Sequence, residues 1–549
     1  MDNKKLAEVM FKDVTLTRED IFNKYPKRQL KEGAKVTRIA PSPTGFVHLG
    51  NLYGALVDER LAHQSNGVFY LRIEDTDKKR EVENGKETII KAFNEFGLSF
   101  DEGATIDGEK GEYGPYYQRQ REDIYKVFAK ELVEKGLAYP CFCTAEELEQ
   151  MHLEQQEKKD NFGYYGDYAI YSKLSSEDAI KKIQEGIPYV VRFRSQGNII
   201  NKVKHTDLVK GEMEVTQNDQ HVVILKADGI PTYHFAHVID DYLMGTTHVV
   251  RGEEWLATLP MHIELFDTLG LKKPKYLHTA HLMKLDPETG NKRKLSKRKD
   301  PELGLSFYHE KGYPVVSVTE YLMTLINSNF EDWRRANPDA PMDNFEFTTK
   351  KMSSSGALFD LDKLLDVSKT IISKMSAEEV YDNVCAWAKE YNINFYNVLT
   401  QNKEYSISIL QIGRGGKKPR KDIAIWSEVE EYMGFMFDET FKPNYELPKN
   451  LKEDAVNILK DYINLYNENH DQSEWFNTIK NLAPKYGFAS EIKEYKQNPD
   501  NYKGHCGDIS TAIRVAVCGR QNSPDMYTLF KIMGKEKIIE RINIAINAL

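Results

Sequence analysis

At 549 residues the chain is too long for one hydrophobic core, and its length predicts several structural units. Its composition is 40 % hydrophobic and 29 % charged, without the run of about 18 apolar residues that a membrane span needs, so we expect no membrane association. The formal net charge of -9 gives no support to a general nucleic-acid binder, and any polyanion must therefore meet a local basic patch.

The N-terminal segment and the cysteines indicate the compartment. Residues 1–31 mix acidic and basic side chains, and they lack both the apolar core of a secretion signal and the acid-poor bias of a transit peptide. The 5 cysteines are an odd number in a long chain, which argues against a disulfide framework and fits a reducing environment. We therefore expect a cytoplasmic protein.

The first informative element is a strand, a turn and a helix. Residues 36–40 are apolar and β-prone, two prolines and a glycine follow, and from Leu49 onward apolar residues recur at helical spacing. A helix that begins near His48 directs its free N–H groups and positive dipole end at the turn, where phosphate binds well. Gly50, without a Cβ, would let an adenine ring lie against the backbone. The alternative is an ordinary turn with an incidental histidine.

A second strand, predicted over residues 68–73, leads into the acidic stretch at residues 74–77. Ligands of open parallel sheets collect at the carboxyl ends of the strands, so Glu74 and Asp77 should face the same crevice as His48. We assign Asp77 as the N-cap of a helix over residues 78–96, and Glu74 as a group that binds a cationic ligand.

Residues 118–218 are predicted to form an insertion, because the parallel pattern resumes after them. The stretch 101–117, rich in glycine and acidic residues, marks its start. Cys141 and Cys143 invite a zinc interpretation, but zinc needs two further ligands, and residues 164–172 offer neither cysteine nor histidine. We therefore interpret the two cysteines as buried thiols and predict no metal site.

Beyond the insertion, the pattern predicts a second crossing of strand and helix. Strands are predicted over residues 221–226 and 246–251, and helices over residues 232–239 and 253–269. Four side chains should lie around this crossing: Tyr233, His237, Arg251 and Trp255. An arginine can hold a carboxylate through two hydrogen bonds. The alternative is that the aromatic residues pack and that Arg251 pairs with Glu253 or Glu254.

A basic stretch follows at residues 292–299, where 6 of 8 residues are cationic. On a mobile loop, as we predict here, these charges suit a triphosphate. The alternative is a solvated loop or a nucleic-acid patch.

Helical patterns dominate beyond residue 306. Helices are predicted over residues 321–326, 358–375 and 377–399 and at the C-terminus over 535–549, with a polar link over 345–355. A basic, glycine-rich segment at residues 413–421 is a candidate for contact with phosphate or an RNA backbone, and the alternative is a plain surface loop.

Two short motifs stand in a specific order on the interrupted parallel sheet: HLGN at residues 48–51 and KLSKR at residues 294–298. They resemble the HIGH and KMSKS signatures of the class I aminoacyl-tRNA synthetases. Five flanking stretches are similar to bacterial glutamyl-tRNA synthetases, namely residues 38–45, 72–77, 231–236, 240–245 and 251–255. The proline-glutamate-proline-asparagine sequence that glutaminyl enzymes generally carry in the first of these stretches is absent from residues 38–45. The resemblance extends over residues 35–549.

The resemblance implies a reaction in two steps. Glutamate attacks the α-phosphate of ATP, and the glutamyl-adenylate then passes its glutamyl group to the 3′-terminal ribose of tRNA-Glu. ATP would bind with Mg²⁺, and no tightly bound cofactor or zinc is expected. The implied catalytic residues are His48, Lys294 and Lys297. The implied ATP contacts are these three with Gly50, Asn51 and Ser296. The implied glutamate contacts are Arg38, Ser42, Glu74, Tyr233 and Arg251. His237 departs from the asparagine that relatives often have.

The resemblance also implies how tRNA is bound. The insertion would clasp the acceptor end, the segment after Lys297 would touch the inner stem, and the C-terminal half would read the anticodon. The candidate tRNA contacts are Arg80 at the rim of the pocket, and Arg414, Lys417, Lys418 and Arg420 on electrostatic grounds.

The expected fold is therefore α/β: a Rossmann-like parallel-sheet catalytic domain, interrupted by an α+β insertion and followed by a mainly α-helical anticodon-binding region. The predicted domains are an N-terminal extension (1–34), the two halves of the catalytic domain (35–117 and 219–305), the insertion (118–218), a stem-contact region (306–370) and the anticodon-binding region (371–549). We expect a monomer, as in the family.

Several alternatives stay open at the level of sequence. The enzyme could also charge tRNA-Gln, and the sequence does not identify the anticodon-reading residues. A nucleotidyltransferase with a HIGH-type turn, or a relative that attaches glutamate to a tRNA base, would not need the helical C-terminal half. A non-catalytic RNA-binding paralogue would not need His48, Lys294 and Lys297.

Overall fold

The computed structural model describes residues 2–549, which fall into two compact units. The first contains the residues up to 305 together with 319–360, and the second contains residues 306–318 and 361–549. The predicted stem-contact region, 306–370, is thus divided between the two. Within the described residues, no helix is long and apolar enough to cross a membrane.

The helices up to residue 305 are α1 (Asp2–Met10), α2 (Arg18–Lys24), α3 (Leu49–His63), α4 (Gly85–Glu95), α5 (Glu122–Glu134), α6 (Ala145–Lys158), α7 (Ser176–Gln184), α8 (Tyr233–Leu243) and α9 (Leu259–Leu269). The strands are β1 (Val36–Ile39), β2 (Val68–Leu71), β3 (Glu102–Thr105), β4 (Gly108–Lys110), β5 (Ala138–Cys141), β6 (Val190–Phe193), β7 (Lys202–Asp207), β8 (Gly211–Thr216), β9 (Val223–Leu225), β10 (His248–Gly252), β11 (Lys275–Thr279), β12 (Leu282–Leu285) and β13 (Lys292–Lys294).

From residue 306 the elements are α10 (Ser306–Lys311), α11 (Val315–Ile326), α12 (Phe330–Ala336), β14 (Ala357–Leu358), α13 (Leu361–Lys374), α14 (Ala377–Tyr391), α15 (Ile393–Gln401), α16 (Lys403–Leu410), α17 (Val429–Met433), α18 (Ala455–Leu465), α19 (Gln472–Leu482), α20 (Ile492–Gln497), α21 (Cys506–Cys518), α22 (Met526–Met533) and α23 (Lys535–Ala548).

A parallel sheet forms the centre of the first unit. β1, β2 and β3 run parallel, and β4 pairs with β3 in the antiparallel sense. β10 and β11 form a second parallel pair, and the N–H of Thr247, just before β10, donates to the Val36 carbonyl 2.9 Å away. The carboxyl ends of β1, β2 and β10 therefore meet at one edge, where ligands of such folds bind.

An antiparallel sheet joins β5 and β6 of the predicted insertion to β9, which lies beyond the predicted end of the insertion at residue 218. We expect the strand at residues 221–226 to resume the parallel sheet, and this is wrong, because Val223–Leu225 pairs antiparallel with β6. A short apolar run fits either kind of sheet, so its periodicity does not identify its partner. The parallel pattern resumes only at β10.

The helix predicted over residues 78–96 is shorter in the structure. It occupies Gly85–Glu95, after Asn84 with a left-handed φ of 54° and a single 3₁₀ turn over Lys78–Arg80. The assignment of Asp77 as a helix cap is wrong, because its carboxylate accepts a hydrogen bond from Arg80 Nε at 2.6 Å and makes no capping bond.

Three further predicted segments differ in their boundaries. The helix predicted over residues 253–269 begins with a 3₁₀ turn, Glu253–Thr258, before α9. The helix predicted over residues 377–399 divides at Asn392, whose side chain accepts from the Phe395 N–H and caps α15. The predicted mobile loop at 292–299 starts as strand β13, which pairs antiparallel with β12.

Each unit has its own hydrophobic core. In the first, α1 packs on α5 and α7, and its Leu6 and Ala7 join a buried cluster that also includes side chains of α5, α8 and α9. The N-terminal extension is therefore part of the catalytic unit. In the second, the apolar faces of α14–α19 and α21–α23 enclose a cluster that includes Ile458, Ile513 and Ile542.

Candidate active site

A cleft of about 810 Å³ lies at the carboxyl ends of β1, β2 and β10. The cleft is lined by the predicted ATP residues His48, Gly50, Asn51, Lys294 and Lys297, by the predicted glutamate residues Arg38, Ser42, Glu74, Tyr233 and Arg251, and by Arg80. Ser296 is not among its lining residues. The structure thus brings together side chains that lie more than 250 positions apart in the chain, roughly half its length.

His48 is the N-cap of α3, and this position determines which of its nitrogens is available. Its Nδ1 accepts from the Asn51 N–H at 3.3 Å, while Asn51 Oδ1 accepts from the His48 N–H at 3.1 Å. In the neutral ring the proton then resides on Nε2, which becomes a donor. Burial, and next the charge of Lys297, lowers the pKa of His48 and so favours this neutral form.

The backbone of Gly50 lies close to the imidazole ring of His48. A Cβ at this position would lie 3.1 Å from both Cε1 and Nδ1 of His48, closer than side chains normally approach. The glycine therefore leaves room for the imidazole itself. This requirement for glycine is separate from the space for adenine that the sequence predicts at the same position.

The basic stretch contributes two of its lysines to the cleft. Lys297 Nζ lies 4.4 Å from the ring centroid of Phe46, and Lys294 Nζ lies 3.4 Å from His281 Nε2. Arg293 has a structural role, since it donates to Asp286 and Asp300, and its hydrogen bond lowers the pKa of Asp300 to about 2. This ion pair anchors the stretch and leaves the two lysines on the cleft.

Ser296 holds the same stretch through its backbone. Its N–H donates to Asp300 Oδ2 at 2.8 Å, and its carbonyl accepts from the Asp300 N–H at 2.9 Å. These contacts account for the position of the turn, whereas the role of the Ser296 side chain in ATP binding stays a prediction.

The opposite side of the cleft contains a buried network of two arginines and two carboxylates. Arg38 Nε donates to both oxygens of Asp241 at 3.2 Å, and Arg72 donates to Asp241 at 2.7 Å and to Glu74 at 3.1 Å. Burial raises the pKa of Glu74 to about 7, although Arg72 and Arg38 oppose the shift. Glu74 is thus a carboxyl group that an incoming cation would help to ionise.

Arg251 has hydrogen-bond capacity left for a ligand. Its Nε donates to His278 Nε2 and its Nη1 to His262 Nδ1, both at 3.0 Å, and its guanidinium lies 4.7 Å from the ring centroid of Tyr276. Its Nη2 is buried and has no hydrogen-bond partner in the described part of the chain. The pairing with Glu253 or Glu254 that we consider as an alternative is therefore not formed.

Tyr233 forms an aromatic wall beside Arg251. It stacks on His237 with a centroid distance of 5.6 Å and an interplanar angle of 14°, and it packs against Trp255 at 4.7 Å. His237 itself is fully buried, with Nδ1 2.8 Å from Asp241 and Nε2 3.0 Å from the Tyr276 hydroxyl. Its position supports Tyr233 from behind and does not line the cleft.

Comparison with known proteins identifies the family. The model of the class I tRNA synthetase catalytic domain for glutamate and glutamine enzymes matches residues 35–366, and an anticodon-binding domain model matches residues 418–546. The chain belongs to the class I tRNA synthetases. Its relatives include glutamate–tRNA ligases of Acetivibrio thermocellus, 54 % identical with 99 % of each chain covered, and of Clostridium perfringens, 52 % identical with 99 % of this chain and 100 % of the relative covered.

Solved structures agree with this membership. The crystal structure of a glutamate tRNA ligase from Elizabethkingia meningosepticum, in complex with its amino acid, superposes with a TM-score of 0.76 at 28 % identity, covering 94 % of this chain and 99 % of that one. The resemblance to bacterial glutamyl-tRNA synthetases is confirmed, as are the α/β fold class with its helical C-terminal region and the prediction of an enzyme of the glutamate–tRNA ligase family.

Sequence reasoning missed the residues that surround Arg251 in the structure. Asp207, His262 and His278 carry no motif, and they come from β7, α9 and β11. Lys226, which lines the cleft and donates to the Thr76 carbonyl at 2.6 Å, was also missed. The one available signal was the unusual density of histidine between residues 234 and 281.

The predicted tRNA contacts in the second unit differ in their surroundings. Arg414 donates to the carbonyls of Leu410 and Ile372, and Arg420 is paired with Asp422. Lys417 and Lys418 are exposed. Among the four, these two lysines combine exposure with the lack of an ion pair in the described residues, and their contact with tRNA stays a prediction.

The cysteine pair of the insertion forms a small cluster with Tyr164, in which Cys141 is buried as predicted and Cys143 is only half-buried. The sulfur atoms of Cys141 and Cys143 both lie 3.4 Å from the Tyr164 hydroxyl. Within residues 2–549 no group of three or more histidine, cysteine or acidic side chains is arranged to hold a metal ion. The cluster therefore has two thiols and a phenol, and lacks the four ligands of a structural zinc site.

Proposed function

We propose that this cleft joins glutamate to the 3′ end of tRNA-Glu through a glutamyl-adenylate, with release of AMP and pyrophosphate. The observation that carries the proposal is the meeting, in one cleft, of a phosphate site and a carboxylate site. His48, Lys294 and Lys297 supply hydrogen-bond donors and positive charge on one side, and Arg251 with its unpartnered Nη2 lies on the other.

In the first step, a carboxylate oxygen of glutamate attacks the α-phosphorus of ATP and the bond to the bridging oxygen of pyrophosphate breaks. The Nε2–H of His48 donates to a phosphate oxygen, while Lys294 and Lys297 neutralise the charge that develops on the leaving pyrophosphate. Little covalent chemistry falls to the protein, so positioning of the two substrates provides most of the rate.

The ammonium group and the side-chain carboxylate of glutamate would each be held by a side chain of opposite charge. The Glu74 carboxylate accepts from the ammonium group, the free edge of Arg251 binds the side-chain carboxylate, and Arg38, held by Asp241, lines the same part of the cleft. Tyr233 packs along the carbon chain. In the second step, the terminal ribose hydroxyl of tRNA attacks the carbonyl carbon of the mixed anhydride and AMP leaves.

Magnesium enters with ATP in this proposal. The described residues offer no ready-made cluster of ligands, which fits an ion that keeps its waters and is carried mainly by substrate phosphates. When bound, it would neutralise phosphate oxygens. All other steps assigned here use side chains of this protein.

The proposed tRNA contacts follow the predicted domain boundaries. The insertion, 118–218, would hold the acceptor end, the segment 306–370 the inner stem, and the helical region after residue 371 the anticodon, with Lys417 and Lys418 against the phosphate backbone. We further propose that the enzyme acts as a monomer in the cytoplasm. Charging of tRNA-Gln as well as tRNA-Glu is the finer alternative.

Substitution of Lys297 tests the assigned chemistry. We expect Lys297→Ala to lower formation of AMP from ATP, glutamate and tRNA by a factor on the order of 100, because the charge that stabilises the leaving group is lost. Glutamate binding, measured by calorimetry, should stay within about twofold, since Lys297 lies on the phosphate side.

Lys299→Ala provides the matched control. Lys299 belongs to the same basic stretch and is exposed, but it does not line the cleft. Turnover by this variant should resemble that of the unmodified protein. Equal turnover by both variants would remove Lys297 from the reaction.

A further inference from the structure

The partners of Arg251 are unusual for a buried arginine. A buried guanidinium normally pairs with a carboxylate, as Arg38 and Arg72 do with Asp241. Arg251 instead donates to two imidazole nitrogens, His278 Nε2 and His262 Nδ1. A neutral imidazole accepts a hydrogen bond without cancelling the charge of its partner, so Arg251 keeps its positive charge for a ligand.

The acceptor nitrogen of His278 is fixed by Asp207. Oδ2 of this carboxylate lies 2.7 Å from His278 Nδ1, which must therefore carry the ring proton and leave Nε2 free to accept. Asp207 is itself held, because its Oδ1 accepts from the N–H groups of Val209 and Lys210 at 2.9 Å. Arg251 thus donates to His278, and His278 in turn donates to Asp207.

The second imidazole is fixed in a similar way. His262 accepts from Arg251 through Nδ1, so its proton lies on Nε2, which faces His234 Nδ1 at 2.9 Å. Burial lowers the pKa of His262 and of His278, which keeps both rings neutral. With Nε and Nη1 both occupied, only the Nη2 edge of Arg251 is left without a partner in the described residues.

We propose that Asp207, His278 and His262 are positioning residues that present the Nη2 edge of Arg251 to the side chain of the amino acid, and that they thereby set the preference for a carboxylate over an amide. This inference rests on the proposed glutamate site. A carboxylate offers only acceptors to the fixed donor edge, whereas the amide of glutamine can also present its own N–H groups, which Arg251 cannot accept.

Substitution of Asp207 by asparagine tests the proposal, because it changes hydrogen bonds with little change of shape. If the new amide N–H₂ faces His278, the ring proton moves to Nε2 and confronts the Arg251 donor. If it faces Val209 and Lys210 instead, two backbone donors lose their acceptor. We expect the KM for glutamate to rise roughly tenfold or more in a tRNA-charging assay, while the KM for ATP stays within about twofold.

The preference for glutamate over glutamine is a quantity that a general structural defect would leave unchanged. The ratio of the inhibition constant of glutamine to the KM for glutamate should fall by roughly tenfold in Asp207→Asn. Glu212→Gln, which removes an exposed charge from the same β7–β8 hairpin, should leave the ratio unchanged. A fall in activity with an unchanged ratio would overturn the proposal.

Two variants of His278 keep the test decisive if Asp207→Asn folds poorly. His278→Gln retains an oxygen that can accept from Arg251, whereas His278→Phe retains only the ring shape. We expect the glutamine variant to preserve more of the preference than the phenylalanine variant at matched melting temperature, and equal loss in both would contradict the proposal. Arg251→Lys tests the underlying site: if it leaves the KM for glutamate unmoved, the proposed pocket fails, whatever Asp207 does.

Discussion

At the scale of single residues, two adjacent aspartates on α8 show how one helix serves two purposes. Asp240 accepts from Arg121 and Tyr125 at 2.7 Å, and so joins α8 to the insertion helix α5. Asp241 faces the sheet, where Arg38 and Arg72 hold its pKa well below the usual range after offsetting the cost of burial. Each buried charge is compensated, as burial requires.

The charge of the pocket near neutral pH depends on the protonation of Glu74. Its pKa of about 7 means that the empty pocket holds a carboxyl group that is partly protonated at neutral pH. An ammonium group beside it would favour the ionised form. Amino-acid binding should therefore be coupled to loss of a proton from Glu74.

Glutamate binding without ATP should consequently weaken as the pH falls through 7. Above this value Glu74 is ionised and accepts from the ammonium group, and below it the group is neutral. We expect the Kd, measured by calorimetry, to be about tenfold larger at pH 6 than at pH 8.

Glu74→Gln is the control for this assignment. The glutamine cannot titrate, so its binding should be weaker throughout and flat across the same pH range. A flat profile in the unmodified protein, or a slope that persists in Glu74→Gln, would show that another group is responsible.

The candidate site could be predicted from the sequence only where a motif marks it. The predicted ATP and glutamate residues were identified because the resemblance to a family supplied their roles. All of them except Ser296 line one cleft in the structure. The partners of Arg251 were not predicted, because Asp207, His262 and His278 are distant in sequence and only tertiary packing brings them together.

At the scale of elements, the local sequence predicted the start of α3 correctly, but it did not predict the start of α4 or the partner strand of β9. The α3 helix begins where the prolines, the glycine and the apolar spacing place its start, and the His48 capping box explains why. The helix after β2 begins later than expected, because Asn84 takes a left-handed conformation and Asp77 bonds to Arg80. β9 has the wrong partner in our prediction, since its sequence contains no information about the neighbouring strand.

The N-terminal helix α1 illustrates what hydrophobic packing adds. Leu6 is 4 % exposed and lies in the same buried cluster as side chains of α5. Truncating it leaves a cavity in the core of the catalytic unit. We expect Leu6→Ala to lower the free energy of unfolding by about 2 to 3 kcal/mol, measured by denaturant titration.

Lys5→Ala is the neighbouring control, since Lys5 is exposed on the same helix. It should change the free energy of unfolding by less than about 0.5 kcal/mol. If the two variants unfold alike, α1 does not contribute to the core, and the N-terminal extension has another role.

At the scale of the whole molecule, chain length predicted more than one structural unit but not their boundaries. The chain enters the second unit at residue 306, returns to the first at 319 and leaves it again after 360. Such a double crossing cannot be read from periodicity, because helices of both units have the same pattern. Net charge was equally uninformative about RNA, since a chain of net charge -9 belongs to the class I tRNA synthetases.

The central claim is that the cleft of the first unit transfers glutamate to tRNA. Its most direct test is transfer of labelled glutamate to separate tRNA-Glu and tRNA-Gln transcripts in the presence of ATP and Mg²⁺. We predict charging of tRNA-Glu, and the tRNA-Gln reaction then shows whether the enzyme discriminates between the two. Failure to charge either competent transcript would contradict the account and favour a protein that binds RNA or modifies a tRNA base.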